Sequence, residues 1–215
     1  MDHLTAPLNN GVEQFKEGLE NMEKNHKEID ELIQKDDEKL DEMLKGVNEE
    51  YAKISPKNGD ITLEELKSFY MKDRKLIIEM YKEIDELKAK KNQTDCLGRA
   101  KIDGAILGLG ARGIKSTVKL VKTVSSLRNH LQKESDDLIK EIDDSKARGD
   151  LTDEQKQQFE NKSKELVKRI RDDREYMTKN MTPSVKVLKI LFKQTMQKYE
   201  KLANDTEEKT KEKLQ

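Results

Sequence analysis

Residues 12–47, VEQFKEGLENMEKNHKEIDELIQKDDEKLDEMLKGV, set Val12, Phe15, Leu19, Met22, His26, Ile29, Ile33, Asp36, Leu40, Met43 and Val47 at alternating steps of three and four. An α-helix turns once in 3.6 residues, so these positions stack into one stripe. Its heptad period predicts a long helix sharing a narrow seam with another helix. Pro7 stands near the start, where a helix tolerates it, and Ile54-Ser55-Pro56 ends the run. His26 reads as a tolerated seam residue and Asp36 as the mark of a hydrated or paired layer.

Outward from this stripe the pattern repeats. Ile61-Thr62-Leu63-Glu64-Glu65 opens a second helix, with Thr62 as cap and Glu65 as its capping-box partner; Leu66, Tyr70, Ile77, Met80, Ile84 and Leu87 form its stripe. A third helix begins around Asp95 or Asp103 and runs to about Lys146, carrying Leu131, Leu138 and Ile142. Arg148-Gly149-Asp150-Leu151-Thr152 turns the chain with the same chemistry, Gln155 taking the place of Glu65. A fourth helix then uses Phe159, Ser163, Leu166, Ile170, Asp173 and Met177. Thr182-Pro183-Ser184 marks a kink or a new start before a fifth stripe of Val185, Val187, Leu188, Leu191, Phe192, Met196 and Tyr199. The expectation is all-α: an elongated antiparallel bundle or coiled coil of four to five long helices over residues 1–203. Hairpin turns are expected near 55–61 and 147–152, with a frayed polar tail over 204–215.

Composition agrees with narrow seams. Only 33% of residues are hydrophobic, 40% are charged, aromatics are 4% and Trp is absent, too little apolar mass for a thick globular core. The net charge of −1 gives no reason to expect nucleic acid as a partner. Residues 97–128 nevertheless hold seven basic side chains (Arg99, Lys101, Arg112, Lys115, Lys119, Lys122, Arg128) against Asp103 alone. A basic segment thus lies within an acidic remainder.

That segment contains the one glycine-rich apolar stretch, GAILGLGARG at residues 104–113. Ala100, Gly104 and Gly108 form a small-xxx-small ladder, which permits close helix approach or a bend. On a helical wheel of residues 114–131, Lys119 and Lys122 fall within about 40° of Lys115 and Arg112 about 60° away. Ile114, Val118, Val121, Val124, Leu127 and Leu131 take the opposite side. A basic stripe facing an apolar one suits an anionic membrane surface. The candidate membrane-binding residues are therefore Gly104, Ile106, Leu107, Gly108, Leu109, Gly110, Arg112, Ile114, Lys115, Val118, Lys119, Val121 and Lys122. In the competing reading the glycines let this helix pass close to a neighbour and the apolar side is core.

Long amphipathic helices around one short Gly-rich insert at 104–113 are similar in outline to alpha-helical pore-forming toxins and to apolipoprotein L-type proteins. The insert here is shorter and more basic, and no residue roles carry over.

Other chemistry is sparse. No run of about 18 apolar residues predicts a conventional transmembrane helix. No basic-then-apolar leader is visible at the N-terminus, and the lone Cys96 suits a reducing cytoplasm. Asn58-Gly59-Asp60 through Glu65 resembles half of a calcium loop, but Ile54 and Pro56 would stand at its first ligand positions. His3, His26 and His130 show no metal-ligand spacing, and the glycines at 104, 108, 110 and 113 fit no phosphate-binding loop. No catalytic residue, cofactor or metal is expected. The partners expected are an anionic membrane surface, or a protein or second copy bound through the helical seams.

Overall fold

A computed structural model describes residues 5–54 and 61–215, with side chains from residue 11 onward. Among the described residues the fold is all-helical: α1 (Thr5–Lys53), α2 (Leu63–Lys91), α3 (Cys96–Arg148), α4 (Asp153–Asn180) and α5 (Lys186–Leu214), packed as a bundle. The expected turn near 55–61 and the calcium-loop resemblance fall largely on 55–60, outside the described residues. Their sequel is described: Glu65 N–H donates to Thr62 Oγ1 at 3.2 Å, while Thr62 N–H donates back to the Glu65 carboxylate at 2.8 Å. Thr152 and Gln155 form the same reciprocal pair at the start of α4. Each pair satisfies N–H groups that the first helical turn leaves without intrahelical partners. Gly149, at φ +153°, takes a backbone conformation that L side chains rarely adopt, which explains the glycine in the 147–152 turn.

Contacts gather into two compact units, Met1–Val47 with Arg74–Gly113, and Asn48–Asp73 with Ile114–Gln215. In the first, Lys90 pairs with Glu28 at 3.2 Å and Lys39 with Glu79 at 2.6 Å. Numbers that rise along α1 fall along α2, so these helices are antiparallel. Lys101–Asp30 at 2.7 Å and Arg112–Asp37 at 2.9 Å set α3 parallel to α1. Ile29, Leu40, Val47, Leu76, Met80, Leu87, Ile102 and Leu109 are buried there.

The second unit joins the end of α1 and the start of α2, within 48–73, to the rest of α3 and to α4 and α5. Lys162–Glu141 with Arg169–Glu134, and Arg174–Glu200 with Arg171–Glu207, record antiparallel neighbours, since the numbers rise along one helix as they fall along the other. Leu120, Val124, Leu127, Leu131, Ile142, Ile170, Phe192 and Tyr199 are buried. The Tyr199 hydroxyl donates to the Val124 carbonyl at 2.9 Å, so the largest buried side chain keeps its polar end satisfied. Between α4 and α5, residues 182–184 are a new start, with the Thr182 N–H donating to the Tyr70 hydroxyl at 3.3 Å. The tail expected to fray from Asn204 is instead the end of α5, where Thr206, Thr210 and Leu214 are buried. Thr206 and Thr210 return their hydroxyls to carbonyls four residues back, which lets polar side chains occupy a seam.

Candidate functional site

The glycine-rich segment does not interrupt α3. Its first turn is capped by Asp95, which accepts the Gly98 N–H at 2.8 Å and also binds His26 of α1 at 2.9 Å. His26 is therefore a tie between α1 and the start of α3, and those two contacts hold the Asp95 carboxyl below the usual range, Gly98 first. A Cβ added at Gly104, Gly108 or Gly110 meets nothing within 4 Å. The ladder thus does not bring a neighbouring backbone close; at Gly104 and Gly108 it leaves space.

That space is a cleft of about 190 Å³ within the first unit. Ile33, Asp36 and Asp37 of α1, Glu83 and Leu87 of α2, and Gly104, Ala105, Gly108, Leu109 and Arg112 of α3 line it. Arg112 is already engaged, at 2.9 Å from Asp37 and 3.5 Å from Asp41. Glu83 is only 3% exposed, and neither of its carboxylate oxygens has a hydrogen-bond partner; Asp36 Oδ2 is also buried and unpartnered. Burial first, then the neighbouring Asp36, pushes the Glu83 carboxyl up to about 7. Burial also raises Asp36.

Glu83 was not legible in the expected α2 stripe, which ran through Ile77 and Ile84. The buried line of α2 is Leu66, Phe69, Asp73, Leu76, Met80, Glu83 and Leu87, again in steps of three and four. Two carboxylates occupy that seam, and their spacing was the available signal. Asp73, in the second unit, accepts the Ser116 hydroxyl, and burial raises it to about 7 against the opposing pull of Lys119.

The remaining candidate residues are divided by the fold. Leu109 is buried; Ile106, Arg112, Val118, Lys119 and Val121 are half-buried; Gly104, Leu107, Gly108, Gly110, Ile114, Lys115 and Lys122 are exposed. Val124, Leu127 and Leu131, from the apolar side of the wheel, are core, as is Leu120 beside them. Lys119 donates to Asn48 and lies 5.3 Å over the Tyr51 ring. Half of the basic stripe is therefore spent on contacts with α1. No described helix is long and apolar enough to cross a membrane, and no described group of His, Cys, Asp and Glu is arranged to hold a metal ion.

A second exposed feature lies on α1. Every residue from 11 to 25 is exposed, before the His26–Asp95 tie. The seam nevertheless continues there, with Val12 52%, Phe15 67%, Leu19 44% and Met22 44% exposed. The stripe is legible in the sequence, but not that its first four apolar members lack cover among the described residues. Against known proteins, no family model, no curated protein and no solved structure matches this chain.

Proposed function

We propose that the chain is a non-catalytic association protein that pairs the first part of α1 with the same segment of a second copy. The supporting observation is the exposed line Val12, Phe15, Leu19 and Met22, a helical seam whose apolar side chains stand in water. In heptad terms Val12 and Leu19 are a positions, and Phe15 and Met22 are d positions. Lys16 and Glu23 follow as e positions; Gly11 and Gly18 precede as g positions.

This pattern favours an antiparallel pair. Placing Val12 against Met22 and Phe15 against Leu19 of the other copy gives four apolar layers and a two-fold axis. Lys16 of each copy then faces Glu23 of the other, while the glycines meet on the opposite flank and allow close approach. A parallel pair would set glycines against Lys16 and Glu23 and form neither ion pair.

Light scattering after size exclusion tests orientation. Lys16→Glu should weaken the dimer several-fold, and Lys16→Glu combined with Glu23→Lys should restore it. A single variant that dimerises like the parent chain, or a swap that fails to rescue, refutes antiparallel pairing.

A second reading rests on Ile114, Lys115 and Lys122, all exposed in the second unit. Aliphatic and ammonium groups outside the core suit peripheral contact with anionic lipid. Co-sedimentation with anionic vesicles at physiological salt, lost in Lys115→Glu/Lys122→Glu, supports it; no binding by the parent chain removes it.

A further inference from the structure

The geometry points to a ligand site in the first unit: the cleft lined by Asp36, Glu83, Gly104 and Gly108 binds a primary alkylammonium ion. This stands independently of α1 self-association, since it uses other residues and a different observation.

Charge favours a cation. The ionic groups around the cleft are largely paired with each other: Arg112 with Asp37 and Asp41, and Lys39 and Lys82 with Glu79. Asp36 and Glu83 remain: Glu83 is buried, Asp36 is half-buried with its Oδ2 enclosed, and these three oxygens have no hydrogen-bond partner, although Lys39 attracts both carboxylates from a distance. Buried carboxylates without partners are costly, so a cation that reaches them is strongly favoured over water.

Donor count and shape narrow the cation to a primary ammonium. Three acceptor atoms are unpartnered, Glu83 Oε1, Glu83 Oε2 and Asp36 Oδ2. A primary ammonium carries three N–H donors, as the lysine head group does. The described carboxylates do not form a metal-ligating cluster. Ile33, Leu87, Ala105 and Leu109 supply apolar wall, and the missing side chains of Gly104 and Gly108 leave room for a short alkyl tail in a volume of about 190 Å³. The glycines and the two seam carboxylates thus belong to one arrangement.

Ionised Glu83 binds best, so affinity rises with pH through its titration near 7. The charged groups facing it are Asp36, Asp37 and Lys39 from α1, Glu79 on its own helix, and Arg112 from α3.

The test is a titration of the full chain with n-butylammonium chloride, followed by calorimetry and by backbone amide NMR. Saturable binding, with shifts at residues 83, 104, 105 and 108, is expected. Affinity should fall at least tenfold in Glu83→Gln and in Gly108→Leu, which fills the cleft while keeping both carboxylates. Tetramethylammonium, which has no N–H donor, and n-butanol, which has no charge, should bind at least tenfold more weakly. A parallel titration with Nα-acetyl-lysine methylamide separates the two sources of this head group: binding tighter than n-butylammonium assigns the cleft to a peptide lysine, weaker binding to a free amine. No saturable response from either amine overturns the proposal, as does equal affinity in a folded Gly108→Leu chain or for tetramethylammonium.

Discussion

Replacing Glu83 with Met should make the protein more stable, and by an amount that depends on pH. Glu83 is 3% exposed with both carboxylate oxygens unpartnered, and burial lifts its carboxyl from 4.5 to about 7. Below pH 4.5 the group is largely protonated in both folded and unfolded chains, and the penalty for burying its charge disappears. Between 4.5 and about 7 the folded state holds the proton more tightly, so stability falls as pH rises. Above that window the penalty is complete. At about 1.4 kcal/mol per pH unit the rise amounts to about 3 kcal/mol. Methionine is of similar length, adds no charge and contacts the same apolar wall of Leu87 and Leu109. The variant should therefore melt about 6–12 °C higher than the parent chain at pH 8, given about 2–4 °C per kcal/mol for a chain of this size. The difference should shrink to about 2 °C or less at pH 4.5. Thermal melts followed by circular dichroism at both pH values measure this. A Glu83→Met chain that melts lower at pH 8, or a difference that does not change with pH, refutes the assignment of Glu83 as a buried, uncompensated carboxylate.

Three smaller perturbations probe other parts of the fold. Tyr199→Phe removes the hydroxyl that donates to the Val124 carbonyl at 2.9 Å and should cost about 0.5–1.5 kcal/mol in urea unfolding, the worth of one hydrogen bond to a carbonyl that keeps its helical partner; no loss would mean that contact contributes nothing. Gly110→Ala should raise stability by about 0.5–1 kcal/mol, since Gly110 is helical and an added Cβ meets nothing within 4 Å; destabilisation would show that α3 packs differently there. Thr152→Ala deletes one half of the α4 capping box and should cost about 1 kcal/mol, with faster amide exchange confined to the first turn of α4; unchanged exchange would contradict the cap.

The fold class was legible because seam periodicity and capping boxes are local signals. Phe159, Ser163, Leu166, Ile170, Asp173 and Met177 were expected on one face of α4, and all are buried. Thr62 with Glu65 and Thr152 with Gln155 likewise perform the capping that their spacing implies. The end of α5 was less legible: a run of Asn, Asp, Thr, Glu and Lys resembles a solvated tail, yet its threonines at 206 and 210 bury small hydroxyls that bond within their own helix.

The candidate site was legible only in outline. A sequence shows that Gly104 and Gly108 lack side chains, but not whether a neighbour fills the space; here none does at the Cβ positions. The wheel separated basic from apolar sides of α3, but the partners of Arg112 lie on α1 at Asp37 and Asp41, more than seventy positions back along the chain. Glu83 was hidden among alternating Lys and Glu because the stripe assigned to α2 passed through Ile84, one residue from the buried line. Long-range pairing decides the first two cases, and local periodicity does not encode it; Glu83 lies on a second three-and-four stripe of α2 that its carboxylates disguise.

In the proposed dimer the uncovered seam of α1 is satisfied by a second copy. Sedimentation equilibrium of the full chain across a concentration series, beside Leu19→Asp, tests it directly. The parent chain should pass reversibly from monomer to dimer as concentration rises, and Leu19→Asp, which places a charge in two of the four layers, should weaken that step by about two orders of magnitude or more without loss of helicity. A parent chain that stays monomeric throughout, or a Leu19→Asp chain that dimerises equally well, would contradict the account.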